Sequence, residues 1–277
     1  MKLGYLLRKK LYTPLYKKAY SRSALTLAGL VAVEIHHAFN QFFTWKYPIR
    51  SLIRTVAVIF SSICRLYLGR SVRFSYAFAG EDRLIEGLLN PKVGQRGFYV
   101  DVGANHPTLF SNTYSFYRRG WRGICVDANS ELIHLYRLYR PRDRAVTALV
   151  SDAPGVREFY QVQNDVLSTT MAENLENYRQ EGLSIAVARL QTRSLTEVLI
   201  QQEAPAIFDL LTVDTEEHDL QVLKSLDLSL FRPRLIVVED DAFDPLLPLE
   251  NEIYSYLYQA GYRLEGFVLK NLYFMHQ

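Results

Sequence analysis

Residues Phe98 to Pro107 read FYVDVGANHP and give the strongest indication of the fold. It opens on a short apolar run and turns at Gly103 into polar residues. Apolar runs without strict alternation are typical of parallel strands that are buried on both faces. Such sheets bind ligands beyond the carboxyl ends of their strands, so the residues that follow this run are the first place to look for a site.

Outward from this stretch, short strand-like runs alternate with helical segments. Strands are predicted at 98–102, 123–127, 145–150, 208–214, 235–239, 263–268 and 272–275, and helices at about 112–119, 130–139, 194–202, 216–226 and 250–260. The alternation predicts an α/β fold with a doubly wound sheet of seven strands. Because residues 269–271 alone separate the last two strands, these should form an antiparallel hairpin at one edge.

The charge of the chain is divided unevenly along its 277 residues. Residues 1–80 hold 13 Lys or Arg and one acid, Glu34, which leaves 19 basic and 28 acidic residues for 81–277. The 49% of hydrophobic residues excludes a disordered or fibrous protein. We therefore predict a helical, basic N-terminal extension at residues 1–77 and a separate main domain at residues 78–277.

The basic extension contains two apolar runs, 24–33 and 55–64, both shorter than the roughly 20 residues of a membrane span. Two interpretations stay open: amphipathic helices over 24–70 that cover the main domain, or peripheral docking of residues 1–70 on an anionic membrane. Nucleic acid is a less favoured partner because the aromatic residues are mixed with long aliphatic ones. With only two cysteines and no clear signal cleavage site, we expect a cytoplasmic protein, or one at the inner face of the membrane.

Acidic residues follow successive predicted strands. Asp101 could meet a ligand ammonium, and Gly103 would let the backbone approach a ligand. Asp127 stands where a carboxylate binds both hydroxyls of a ribose, and the turn at Ser151 and Asp152 could reach an adenine amino group. The single glycine disfavours a dinucleotide loop. One ligand with an amino acid group, a ribose and an adenine fits this order, and S-adenosylmethionine has that outline.

Five segments of the chain resemble the FkbM family of S-adenosylmethionine-dependent methyltransferases. They are Gly80-Glu81-Asp82, FYVDVGANHP at 98–107, SNTY at 111–114, GWRG at 120–123 and LLTVDTEEHDLQVL at 210–223. The resemblance covers about residues 80–238 and implies a Rossmann-like, class I methyltransferase sheet of seven strands. It also implies S-adenosylmethionine as cofactor and, usually, O-methylation of a sugar, glycan or other hydroxyl-bearing metabolite.

The resemblance also implies roles for residues. Asp101, Gly103 and Asn105 match the cofactor loop, Asp127 the ribose ligand, and Ser151 and Asp152 the adenine turn, with Glu81 and Asp82 as further contributors. Asp214, Glu216 and His218 match the family's Asp-Val-Glu-Gly-His-Glu stretch. Here Thr215 replaces Val and Glu217 replaces Gly, and the Glu217 side chain would either narrow the pocket or be harmless at a helix start.

Methyl transfer to a hydroxyl needs a positioned base. His218 is the first candidate because imidazole can be neutral near physiological pH, and Asp214 is the second. Asp240, Asp241 and Asp244 could hold Mg²⁺, but such a cluster is more often a solvated loop, and no metal is predicted. Substrate choice is assigned to residues 163–184 and 243–248.

Two alternatives compete with the methyltransferase interpretation. A nicotinamide-dependent oxidoreductase shares the sheet and the acid after the second strand, although the glycines of its loop are missing. A catalytically silent binding module, docked to a membrane or an assembly, is kept open by Glu217.

Overall fold

The computed structural model describes residue 35 and residues 47–67, 74–162 and 185–277. The chain divides into two units between Phe74 and Ser75. The predicted boundary between residues 77 and 78 stays a prediction. The proposed substrate segment 163–184 and most of the basic extension lie outside the described residues.

The main sheet has seven strands, as predicted. Their order is β3-β2-β1-β7-β8-β10-β9. They are β1 (Phe98–Val102), β2 (Arg122–Asp127), β3 (Arg144–Thr147), β7 (Ile207–Val213), β8 (Arg232–Glu239), β9 (Tyr262–Val268) and β10 (Asn271–His276). The first five of these in spatial order are parallel, and β10 runs antiparallel to β8 and β9. This order is that of class I methyltransferases, and the predicted hairpin at one edge is confirmed.

Helices cover both faces of this sheet. They are α2 (Glu81–Leu89), α3 (Tyr114–Arg118), α4 (Ser130–Tyr139), α5 (Leu195–Gln201), α6 (Asp219–Lys224) and α7 (Glu252–Gln259), with a 3₁₀ turn at Pro248–Glu250. Apolar side chains of α5, α6 and α7 share one buried cluster with the sheet, and those of α2, α3 and α4 share another. The doubly wound arrangement is therefore confirmed, while α2 was not among the predicted helices.

A second sheet, of three strands, was not predicted from the sequence. It consists of β4 (Leu149–Val150), β5 (Val156–Val162) and β6 (Ile185–Arg193), in the order β4-β6-β5. The prediction of one strand at 145–150 was wrong. The pairing of β3 with β2 ends at Thr147, and Leu149 then begins a separate strand, β4, by pairing with Thr192 of β6. Most residues of β5 and β6 are exposed or half-buried, so the apolar pattern of these two strands is weak.

The N-terminal unit contributes one described helix, α1 (Pro48–Tyr67). It includes the predicted apolar run 55–64, whereas the run 24–33 lies outside the described residues. Within the described part of the chain, every helix is too short or too polar to cross a bilayer.

Candidate active site

The carboxyl ends of β1, β2 and β7 meet at one edge of the sheet. The backbone N–H of Gly103 donates to the carbonyl of Val126 (2.9 Å), and that of Asp214 donates to the carbonyl of Val102 (3.0 Å). The polar residues that end these three neighbouring strands are therefore held side by side, as the parallel arrangement predicts.

Gly103 lies at the tightest point of this edge. Its φ is +75°, and a Cβ there would come within 1.8 Å of the Asp214 carbonyl oxygen. Glycine is required because the turn after β1 crosses the backbone that follows β7. The close approach is thus to the protein itself, while the predicted approach to a ligand stays a prediction.

Asp127 connects the loop after β1 with the loop after β2, the two loops predicted to contact a nucleoside. Its Oδ2 accepts the backbone N–H of Asn105 (2.8 Å), and its Oδ1 accepts that of Asn129 (2.8 Å). Asn129 then caps α4. Asp127 therefore ties the turn after β1 to the start of α4, and its role as the ribose ligand stays a prediction.

Asp101 is buried and bonded to the protein. Its Oδ2 accepts the hydroxyl of Thr113 at 2.6 Å. Burial raises the pKa of this carboxyl to about 6, and the nearby Arg140 guanidinium limits the rise. Contact with a ligand ammonium stays a prediction, but the structure shows a second role, because Asp101 anchors the segment that follows the turn.

Arg140 is the largest omission of the sequence analysis. Its fully buried guanidinium donates to Asp143 Oδ2 (2.7 Å), and also to the Pro107 carbonyl (3.3 Å), Ser111 Oγ (3.2 Å), Tyr99 OH (2.9 Å) and Thr113 Oγ1 (2.9 Å). It also lies within 5.4 Å of the ring centres of Tyr99, Tyr117 and Tyr136. This one side chain therefore fixes the course of residues 107–113. Arg140 lies within an arginine-rich stretch, residues 137–144, that carries no motif.

Glu81 and Asp82 begin α2 beside the same edge. Glu81 Oε2 accepts the Ala79 N–H (2.7 Å), whereas Asp82 accepts the Ser75 hydroxyl (2.6 Å) and the Tyr76 N–H (3.1 Å). Burial raises the pKa of Glu81, and the neighbouring charges of Asp214 and Asp82 raise it further. Glu81 thus joins the acids of the site, while Asp82 ties down the preceding loop.

His218 meets the predicted adenine turn. Its Nε2 lies 3.1 Å from Ser151 Oγ, and the Ser151 hydroxyl also faces Asp152 at 3.3 Å. Burial lowers the pKa of His218, as does the charge of Arg157, so the imidazole is neutral near physiological pH. The predicted base is therefore neutral, but it is buried and directed towards Ser151.

Asp214 lies in a group of three acids. Carboxylate oxygens of Asp214, Glu216 and Glu239 all lie within 4.8 Å of one another. Asp214 is exposed, whereas Glu239, which ends β8, is buried and forms an ion pair with Lys270. Next to them, Asp219 accepts the N–H and hydroxyl of Thr215, and burial together with Asp214 raises its pKa to about 7. Glu239 was missed because its role depends on the neighbouring strand.

The other acidic cluster serves the loop after β8. Asp240 accepts the Ala242 N–H (2.8 Å) and the Asn251 amide (2.7 Å), and Asp244 accepts the Leu246 N–H (2.9 Å). These are local turn contacts, which match the solvated-loop interpretation.

A cavity of about 250 Å³ lies at the opposite edge of the sheet. Its lining residues are Phe98, Arg122, Gly123, Arg142, Arg144, Glu203 and Pro205, several of which start strands. It is therefore separate from the acids at the carboxyl ends.

The sequence model of the family described as "Methyltransferase FkbM domain" matches residues 101–264. The chain belongs to the FkbM methyltransferase family. The match runs from Asp101 at the end of β1 to Leu264 in β9, so it includes Asp127, Asp214 and Glu239 but not Glu81, Asp82 or β10. FkbM membership makes the chain a methyltransferase, implies S-adenosylmethionine as its cofactor, and decides against the nicotinamide-dependent alternative.

Solved structures give a weaker likeness than the FkbM match. One described as "METTL16 MTase domain" is 12% identical, covers 80% of this chain and 78% of its own, and has a TM-score of 0.38. Another, "delta-N METTL16 MTase domain", is 11% identical, covers 71% and 80%, and has a TM-score of 0.35. The comparison with curated proteins found no match.

Glu217 is the clearest departure from the FkbM pattern, and the backbone explains why glycine is usual there. Its φ is +75°, in the left-handed region, and its side chain is exposed. Glu216 before it also has a positive φ, 53°. Glutamate at this position therefore strains the backbone, and its side chain does not narrow the pocket.

Proposed function

We propose that this FkbM protein transfers the methyl group of S-adenosylmethionine to a hydroxyl oxygen of a sugar, glycan or other small metabolite. The observation that carries the proposal is the convergence of acids at the carboxyl ends of β1, β7 and β8. Asp101, Asp214 and Glu239 end these strands, and Glu81 and Asp219 begin the adjacent helices.

The acids fit a cationic cofactor. Burial is the main cause of the raised pKa values of Glu81, Asp101 and Asp219, and the negative charge of Asp214 raises each of them further. Buried like charges are costly unless a cation neutralises them. S-adenosylmethionine carries a sulfonium and an ammonium, while Asp127 and the turn at Ser151 would receive its ribose and adenine.

Catalysis here is largely a matter of alignment. When bound, the cofactor supplies an electrophilic methyl carbon. The protein must hold a hydroxyl oxygen in line behind that carbon and accept its proton as the new O–C bond forms and the C–S bond breaks. Asp214 is our choice for this base because it is exposed beside Glu216 and Glu239. His218, which is buried against Ser151, would instead order the adenine turn.

Transfer from a methyl-labelled donor to a panel of sugars, glycans and small hydroxyl compounds tests the proposal. We expect label on oxygen, and Asp214→Asn should lower kcat at saturating cofactor by roughly 10²-fold or more, beyond the loss of cofactor affinity that follows from removing one acid of the site. His218→Ala should act mainly on cofactor affinity, and Glu265→Gln, an exposed acid of β9, is the matched control.

Label on nitrogen or carbon would contradict O-methylation. Full turnover by Asp214→Asn would remove it as the base. Cofactor binding with no labelled product from any acceptor would favour the silent binding module.

A further inference from the structure

The helix α1 has a stripe of apolar side chains that is exposed to solvent. Ile49 is 75% exposed, Ile53 66% and Phe60 69%, and Leu52 and Val56 between them are exposed as well. At 100° per residue these five side chains fall within an arc of about 100°. A soluble protein normally turns such a stripe inward.

Two polar residues on the opposite side of α1 are buried. Ser51 and Thr55 are 6% and 0% exposed. Their hydroxyls are satisfied within the helix, Thr55 by the Ser51 carbonyl (2.8 Å) and Ser51 by the Pro48 carbonyl (3.2 Å). Both residues can therefore be buried without losing hydrogen bonds, and the apolar stripe is left available to a partner.

The charges beside the stripe identify that partner. Arg50 and Arg54 are exposed along one flank, and the sequence of α1 contains no Asp or Glu. Among the described residues, neither arginine has a carboxylate partner. A second copy of the chain would bring like charges together, whereas an anionic lipid surface neutralises them and accepts the apolar side chains.

We propose that α1 is an interfacial helix that docks the protein on anionic membrane through Ile49, Leu52, Ile53, Val56 and Phe60. Insertion is shallow, since α1 does not qualify as a membrane span. The proposal does not depend on the identity of the methyl acceptor.

A fluorescent probe on the stripe tests the proposal in the full chain. An environment-sensitive label on Val56→Cys, in a Cys64→Ser background, reports insertion; the remaining thiol, Cys125, is buried. With vesicles of phosphatidylcholine and phosphatidylserine we expect a blue shift at Val56→Cys and none at Leu138→Cys, an exposed site on α4. The label is needed because basic residues before α1 also attract anionic vesicles.

A paired substitution measures the contribution of the stripe. Ile53→Asp with Phe60→Asp should lower vesicle partitioning about tenfold or more, because two apolar side chains no longer leave water. The matched control is Leu138→Asp with Ile200→Asp, two exposed positions on other helices. Both pairs should keep the fold, since all four side chains are exposed.

Three results would overturn the proposal. One is sedimentation with vesicles while the Val56→Cys label stays unchanged, which would assign binding to other basic residues. Another is a concentration-dependent shift without vesicles, which would indicate a second copy. The third is failure to bind anionic vesicles at low salt.

Discussion

Glu217 occupies a left-handed backbone conformation that costs an L-residue roughly 1–2 kcal/mol. Glu217→Gly should remove that cost and raise the free energy of unfolding by about 1 kcal/mol, after the entropy that glycine adds to the unfolded chain is subtracted. Denaturant unfolding measures the gain. Glu217→Ala is the control, because alanine removes the carboxylate but keeps the Cβ, and should gain much less.

Equal stabilisation by Gly and Ala would mean that charge, rather than backbone conformation, is the unfavourable feature. Methyl transfer should survive both substitutions, since the Glu217 side chain is exposed. A loss of turnover in Glu217→Gly would show that the Glu217 side chain contributes to the active site.

Residues that act through their immediate neighbours could be predicted from the sequence. Asp127 and Gly103 follow apolar strands, and strand–turn chemistry alone identifies their place at the carboxyl edge. Arg140 and Glu239 could not be found in this way. Arg140 contacts residues 27 to 41 positions earlier in the chain, and Glu239 joins Asp214 through strand pairing that no local pattern reveals.

At the scale of elements, strands that pack in the core were predicted more reliably than those at the surface. The strands β1, β2, β7 and β8 are buried on both faces, so their composition is continuously apolar. The outlying strands β5 and β6 alternate weakly between polar and apolar residues and depend on each other through antiparallel pairing. Residues 163–184 separate these two strands, a connection much longer than the two to five residues of a usual hairpin loop, so their pairing was not predicted.

The acids at the ends of β1, α2 and α6 together predict a pH dependence of cofactor binding. The pKa of Asp101 is about 6 and that of Asp219 about 7, and burial and neighbouring acids also raise the pKa of Glu81. As pH rises through this range the carboxyls lose protons, and affinity for a cation should increase. We expect roughly tenfold tighter binding of S-adenosylmethionine at pH 7.5 than at pH 5.5.

Calorimetric titration across that pH range measures the effect. S-adenosylhomocysteine, which lacks the sulfonium charge, is the control and should show a shallower dependence. Affinity that is flat or falls with rising pH would contradict a cationic site. The same raised pKa values affect folding stability in the opposite direction, because the folded state binds these protons more tightly than the unfolded state. Their contribution to the free energy of unfolding is full below about pH 4 and is lost as pH rises through 6 to 7.

At the scale of the whole molecule, the charge asymmetry places the acidic site and the basic sequence in different parts of the chain. The main domain carries the FkbM sheet and an acidic site, while the basic sequence before it includes α1 with its exposed stripe. If both proposals hold, methyl transfer takes place next to a lipid surface. Arg50 and Arg54, which have no carboxylate partner in the described part of the chain, should make this association dependent on salt.

We propose that the carboxylates at the strand ends surround one molecule of S-adenosylmethionine. Isothermal titration of this cofactor into the full chain and into Asp127→Ala tests this proposal, with Glu265→Ala as the matched control. We expect one site per chain, weakened at least about tenfold by Asp127→Ala because charge-assisted hydrogen bonds to the ribose are lost, and unchanged in the control. Undiminished affinity in Asp127→Ala, or no binding by the native chain, would contradict the claim.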